Sequence, residues 1–372
     1  ILYNLLTSLM STKKDKFSFK DKLYMELALD LAKSHQGLTG TNPSVGCVIV
    51  KNDKIISIGQ TSHNGRPHAE LNAIKNCNES LKDSKMYVTL EPCSHYGLSP
   101  PCTNSIIKSK ITDVIYSIID IDKKVSNKTK KILSLKKIKV TTGLLKKKIK
   151  KFYEPYFFNR KNNLPYVTGK IALSKNNLIY SKDNKRITNK LSDKFTHFLR
   201  YKNDSILISY KTLNKDNPKL NCRLKNLKKF SPIRIILDNK LQLNKKSYLF
   251  KTADKKNTIV FYNQAVKSKI LNFKKNNIEL IKAKIDRNQK FDITIILKKL
   301  YKLGFRNTLI EGGNDLTNHL IKKKLFNQFY LFKSSKKLSK SIEFKEFTGL
   351  KILKKKYKNK LKIKSNFGKD KI

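Results

Sequence analysis

Tryptophan is absent from this chain, and arginine and acidic residues are scarce. Its 372 residues carry 82 basic side chains, of which eight are arginine and the rest lysine, against 27 Asp plus Glu, for a formal net charge of +55. Nucleic-acid binders gather Arg and Lys on one face or stripe. Here Lys is spread through nearly every expected element, including 146–151 and 354–356. Abundant Lys, Asn and Ile without Trp reads as AT-rich coding bias rather than a dedicated nucleic-acid surface. Non-specific binding to polyanions at low salt would still follow from the charge. There is no run of about 18 uncharged apolar residues, which excludes a membrane-spanning helix. Five cysteines, an odd number, do not make a disulfide scaffold and suit a reducing cytoplasm with free thiols. A 39% hydrophobic content with 19 Phe and 16 Tyr excludes a wholly disordered chain.

At about 100–200 residues per domain, the length suggests two. Residues 1–10 are apolar but short, with no preceding basic residue and no small-residue cleavage site, so they make a poor signal peptide. We read 1–19 as a tail with Met10 as the expected start. Apolar spacing predicts a helix from Asp21 to Lys33. Strands follow at 45–50 and 54–58 around an Asn52-Asp53 turn, then a helix at 68–75, a strand at 85–90 and a helix at 102–108. A strand at 114–118, a helix at 126–135 and a strand at 138–142 complete an α/β domain over 20–145. The basic, aromatic stretch 146–164 is taken as a linker. Beyond it, 165–372 reads as a second α/β domain, with strands at 166–173, 205–209, 233–237, 258–262 and 307–310. Helices are expected at 191–201, 293–303 and 315–323.

His68-Ala69-Glu70 opens a helix, and Glu91-Pro92-Cys93 follows a strand, with Cys102 at the next helix start. One imidazole and two thiolates leave the fourth corner of a tetrahedral zinc open for water, the catalytic arrangement. Zinc lowers the pKa of such a water to about 7. Glu70, two residues past the His, can carry a proton from it to a ring nitrogen and to leaving ammonia. That is the logic of the zinc deaminases. Cys47, Cys77 and Cys222 lack such company and read as structural. His95, between the two cysteines, is either a fourth ligand or, as we prefer, a substrate contact.

Three stretches, Asn42–Val50, Pro67–Glu70 and Tyr87–His95, together with Pro100-Pro101-Cys102, closely resemble the RibD family, the bifunctional deaminase/reductases of riboflavin biosynthesis. Nucleic-acid and nucleoside deaminases space the cysteines C-x-x-C, whereas eight residues separate Cys93 from Cys102. In the second half, Lys170–Ser174 resembles the family's first reductase strand. Thr212–Arg223 matches its T-V-x-x-D-x-P-x-L-x-x-R run, and Pro232–Asp238 and Leu309–Asn314 match two further segments. The resemblance covers about residues 20–360. It implies a cytidine-deaminase-like N-terminal domain acting on a diaminopyrimidinone ribosylamine phosphate. It also implies a dihydrofolate-reductase-like C-terminal domain that reduces the ribosyl group with NADPH. Carried over residue by residue, it implies cofactor contacts at Leu173, Arg186, Thr212, Asp216, Asn239, Gly313, Asn314, Asp315 and Leu316. Substrate contacts are implied at Lys170, Asn184, Arg200, Leu220, Arg223 and Glu311. Lys170 would bond the ribose or protonate the carbonyl oxygen. Leu98 stands where relatives carry Arg, and Arg186 where they carry Trp.

Two physical features support the second half independently. Gly312-Gly313 follows a strand and opens a helix, so backbone N–H groups can approach a phosphate. Arg200 and Arg223 are retained in a Lys-dominated chain, and a planar guanidinium holds phosphate bidentately where Lys cannot. The alternatives are a deaminase whose second domain has lost reduction, and a nucleic-acid deaminase. A specific nucleic-acid partner and a membrane are not expected, and a homo-oligomer stays open.

Overall fold

The structure is a computed structural model that describes residues 16–122, 124–182, 186–340, 343–357, 361, 363 and 366–372; Met10 and Asn184 lie outside the described residues. The chain divides into two compact units, 1–157 and 158–372.

The first unit begins with α1 (Phe19–Ser34). Ser18 caps it by accepting from the Asp21 N–H at 3.1 Å, while the Asp21 carboxylate accepts the Ser18 N–H at 2.8 Å. Its face of Tyr24, Met25, Ala28, Leu29 and Ala32 is buried. Strands β1 (Gly46–Lys51) and β2 (Lys54–Gln60) form a hairpin whose Asn52 and Asp53 both take positive φ, as a tight primed turn requires. A Cβ on Gly46 would lie 1.8 Å from the Ala28 carbonyl oxygen, so only glycine lets α1 pack this closely on β1. Then come α2 (Ala69–Lys75), β3 (Lys85–Leu90), α3 (Cys102–Lys108), β4 (Asp113–Ile118), α4 (Lys128–Leu135) and β5 (Lys139–Thr142). The sheet order is β2-β1-β3-β4-β5, with β3, β4 and β5 parallel and β1 antiparallel to both its neighbours. Its central strands are buried along most of their length, which explains their near-continuous apolar runs.

The stretch expected as a linker folds as two helices, α5 (Lys146–Phe152) and α6 (Glu154–Asn162). Ile149 and Tyr153 are buried in the first unit's core. The Tyr153 hydroxyl donates to the Ser44 carbonyl at 2.9 Å and meets Thr89 Oγ1 at 2.7 Å. The lysines of this stretch masked an apolar face recurring at helical spacing.

The second unit contains β6 (Tyr166–Leu173), β7 (Leu178–Ser181), α7 (Lys190–Tyr201), β8 (Ser205–Ser209), α8 (Tyr210–Asp216) and β9 (Ile233–Leu237). It continues through α9 (Tyr248–Lys251), β10 (Thr258–Tyr262), α10 (Lys267–Lys275), β11 (Glu279–Lys282), α11 (Ile293–Lys302) and β12 (Asn307–Ile310). Helix α12 (Asn314–Lys322), β13 (Gln328–Lys333), β14 (Phe344–Glu346) and α13 (Leu350–Lys356) complete it. Seven strands pair in the order β11-β10-β9-β8-β12-β6-β13, all parallel, and β14 pairs with β7 separately. Apolar clusters cover both faces of this sheet. The short strands β7, β11 and β14 and the helices α8, α9, α10 and α13 escape a sequence reading, because their few apolar residues alternate with Lys and Asn. In a parallel sheet the loops beyond the strands' carboxyl ends form the ligand crevice. Beyond those ends here come Ser174, Asn239 and Glu311 in loops, and Thr212 in the first turn of α8. No described helix is long and apolar enough to cross a membrane.

Candidate active sites

In the first unit, β3 ends just before Glu91-Pro92-Cys93, and α2 and α3 begin beside it. His68 is the extended residue preceding α2, and Cys102 is the first residue of α3. His68 Nδ1 lies 3.5 Å from Cys93 Sγ and 3.4 Å from Cys102 Sγ, and the three donor atoms all fall within 4.8 Å of one another. Zinc bound at 2.3 Å to sulfur and 2.0–2.1 Å to nitrogen sets a tetrahedral N···S edge of about 3.5 Å. The donor set therefore fits zinc without rearrangement. The Cys102 backbone N–H, at a helix start, donates to Cys93 Sγ at 3.2 Å. Hydrogen bonds from the Cys102 thiol, then from His68 and this N–H, bring the Cys93 thiol down to about 4 against the effect of burial. The Cys102 thiol moves up, because it bonds to Cys93 and is buried.

Glu70 is buried at 3% exposure in the first turn of α2, and burial raises its carboxyl above the usual range while His68 opposes the rise. A carboxyl so raised suits a group that must both take and give a proton. Ser94 Oγ and His95 Nδ1 are buried with no hydrogen-bond partner. Of the other cysteines, Cys47 and Cys222 are buried, and none joins the donor cluster among the described residues. Sequence reasoning missed Glu91 as an organiser. Its carboxylate accepts the N–H groups of Asp120 at 3.2 Å, Asn127 at 3.2 Å and Thr129 at 3.3 Å, pinning the loop after β4 beneath the cysteine turn. Only its place in the Glu91-Pro92-Cys93 run hinted at this.

In the second unit several expected residues already have partners within the protein. Arg200, on α7, does not offer a free fork to phosphate. Its Nε and Nη2 donate to Glu311 Oε1 and Oε2 at 2.7 and 2.9 Å, and Nη1 donates to the Asn221 carbonyl at 3.1 Å. Burial pushes the Glu311 carboxyl up, but the Arg200 guanidinium outweighs it and leaves the group below its usual range. Leu173 is fully buried in the core, its carbonyl accepting the Ser334 N–H at 2.8 Å, so its side chain is not available to a cofactor. Leu220 is 2% exposed and likewise spent in the core. The Arg186 guanidinium is engaged by Asp193 and by the Thr188 carbonyl.

Other expected residues do converge. Arg223 is exposed, and its Nη1 donates to Asn221 Oδ1 at 3.0 Å, beside the carbonyl that Arg200 uses. Lys170, held by burial below the usual lysine range, feels the Glu311 carboxylate, which opposes that shift. His197, one turn before Arg200, was missed by sequence reading; its Nδ1 lies 3.2 Å from the Asn221 carbonyl oxygen. Burial, with Arg200 and Arg223 nearby, brings its imidazole down to about 4, so it is neutral. Its signal was the helical i, i+3 spacing to Arg200 in a chain with six histidines.

Gly313 precedes α12, and no side chain caps that helix start among the described residues. Exposed N–H groups there suit a phosphate. A Cβ on Gly313 would sit 2.8 Å from Thr212 Oγ1, which brings the two expected cofactor residues together. Asn314 Oδ1 accepts the Thr348 N–H at 3.2 Å, and Leu316 is half-buried while Asp315 is exposed. Asp216 ends α8, exposed, and Asn239 lies just past β9, its carbonyl accepting the Asn263 and Gln264 N–H groups. The cradle fits a dinucleotide phosphate. Gly313→Val is expected to raise the KM for NADPH about tenfold or more, with deamination unchanged, because its bulk displaces Thr212 and blocks close backbone approach. Steady-state NADPH titration checks this.

The cytidine and deoxycytidylate deaminase zinc-binding region matches residues 18–118, and the RibD C-terminal domain matches residues 178–358. The riboflavin biosynthesis protein RibD of Aquifex aeolicus is 32% identical over 352 residues, covering 94% of this chain and 96% of that protein. A Buchnera aphidicola diaminohydroxyphosphoribosylamino-pyrimidine deaminase is 43% identical over 146 residues, covering 39% of this chain and 99% of that protein. Among solved structures, the Thermotoga maritima diaminohydroxyphosphoribosylaminopyrimidine deaminase/5-amino-6-(5-phosphoribosylamino)uracil reductase superposes with a TM-score of 0.74 at 31% identity, covering 89% of this chain and 90% of that one. The chain is therefore a two-activity enzyme, a zinc-dependent deaminase joined to an NADPH-dependent reductase. It belongs to the RibD family of riboflavin biosynthesis.

Proposed function

We propose that the first unit converts 2,5-diamino-6-(5-phosphoribosylamino)pyrimidin-4-one to 5-amino-6-(5-phosphoribosylamino)uracil, and that the second reduces the product's ribosyl group to ribityl. The observation that carries this reading is the His68–Cys93–Cys102 cluster, spaced for zinc, with buried Glu70 on the adjoining turn. His68, Cys93 and Cys102 hold the metal, which supplies a water activated at neutral pH. Glu70 takes a proton at its carboxylate, gives it to the ring nitrogen, and delivers a second to the departing ammonia. Burial of Glu70 keeps that proton from bulk water.

In the second unit, Thr212, Asp216, Asn239 and the turn 313–316 place NADPH, which supplies hydride. Arg223, with Arg200 and Glu311 behind it, orients the phosphoribosyl end. Lys170, its proton loosened by burial, protonates the sugar oxygen as hydride arrives. We place the enzyme in the cytoplasm, where a reducing milieu keeps all five cysteines as the free thiols seen here.

Glu70→Gln keeps size and hydrogen bonding but cannot accept a proton, and general acid–base groups contribute about 10²–10⁴ in rate. The variant is expected to lose deamination by that factor while keeping zinc and NADPH oxidation. Near-normal ammonia release from Glu70→Gln would place the proton path elsewhere.

A further inference from the structure

The first unit contains one arginine among its many lysines, and it stands at the active site. Arg66 lies two residues before His68, and its Nη1 donates to Ser99 Oγ in the loop between the two cysteines. A Cβ on Gly97 would lie 3.7 Å from Arg66 Nη2 and 3.9 Å from His95 Nε2, so both side-chain heads converge on one backbone point of that loop. Unlike Arg186 and Arg200, Arg66 forms no ion pair with a carboxylate among the described residues. Around it the loop leaves binding capacity unused. Ser94 Oγ and His95 Nδ1 are buried without a partner, and Tyr96 and Leu98 are 75% and 90% exposed although apolar. Buried polar atoms normally find hydrogen-bond partners, and exposed apolar side chains grouped beside a cation mark a ligand surface.

We infer that Arg66 is the phosphate anchor of the deaminase site, binding the phosphate-monoester end of the pyrimidine substrate while Ser99 orients its guanidinium. This deepens the proposed deaminase reading and rests on it. A guanidinium is required because one edge must stay on Ser99 while the other meets the phosphate, which a lysine's single point charge cannot do.

The test uses the full-length, zinc-loaded protein and its Arg66→Gln and Arg66→Lys variants. Two quantities are measured: the ratio of deamination kcat/KM for the phosphorylated substrate to that for its dephosphorylated riboside, and the Kd of the phosphorylated uracil product. Charge-assisted hydrogen bonds contribute about 1.5–3 kcal/mol, so Arg66→Gln is expected to lower the ratio and raise the Kd about 10- to 100-fold. Arg66→Lys should fall between Arg66→Gln and the parent. In the double variant Arg66→Gln/Leu98→Arg, a guanidinium placed on the loop that Arg66 faces should recover part of the ratio. An equal loss on both substrates, an unchanged product Kd, or loss of zinc in Arg66→Gln would each overturn the assignment. If the parent protein neither deaminates nor binds either pyrimidine, the deaminase reading itself fails, which is a different result.

Discussion

Cys93→Ser is expected to empty the metal centre and abolish deamination while leaving NADPH oxidation untouched. Cys93 is the thiol that the Cys102 thiol, His68 and the Cys102 backbone N–H together draw below the usual thiol range. A serine hydroxyl keeps the shape but not the charge, because its proton does not leave near neutral pH. The dication is then left with one thiolate and His68, one negative charge and one good ligand short. Losing an outer-shell partner alone costs about 10–100-fold in metal affinity, and losing a ligand costs more. Cys77→Ser is the control. That thiol lies outside the cluster, 3.8 Å from the Ile56 carbonyl oxygen. Elemental analysis after dialysis should find about one zinc per chain in Cys77→Ser and almost none in Cys93→Ser. Stoichiometric zinc in dialysed Cys93→Ser would refute the ligand assignment. Acid should have the same effect as the mutation, since every ligand must be deprotonated to bind.

The second large effect is expected at Arg200 and Glu311, whose side chains are 10% and 12% exposed. Removing one partner of such a pair strands a charge away from water and costs about 3–5 kcal/mol. Glu311→Leu and Arg200→Met should each destabilise the second unit by that amount. The combination Arg200→Met/Glu311→Leu should regain most of the stability, because no unpaired charge remains. It should not regain reduction, since Arg223, His197 and Lys170 would face an apolar wall. Urea unfolding followed by circular dichroism measures the stability, as the chain has no Trp to report by fluorescence. Simple additivity of the two single losses would show that the pair does not act as a unit.

The first of these sites was legible in the sequence and the second only in part. His68, Glu70, Cys93 and Cys102 lie in short runs at strand-to-helix junctions. There local chain geometry dictates where a side chain points, so residue type and order carry nearly the whole chemistry. The main strands were legible for a similar reason, since strands buried on both faces leave continuous apolar runs such as 46–50 and 233–237. The lysines obscured the rest, and α5 and α6 passed for a linker because charge hid their apolar period.

Tertiary structure alone decided which long-range partners meet. Arg200 and Glu311 are 111 residues apart and touch because β12 inserts between β6 and β8 in the sheet, which brings the end of β12 against α7. The same packing takes the side chains of Leu173 and Leu220 into the core and sets His197 against the Asn221 carbonyl. Arg66 reaches Ser99 because the turn before α2 and the loop between the cysteines lie side by side. Sequence fixes what a residue can do and the local backbone on which it rides. Strand order and register decide whom it reaches, and these follow from burying whole faces, a property no single motif contains.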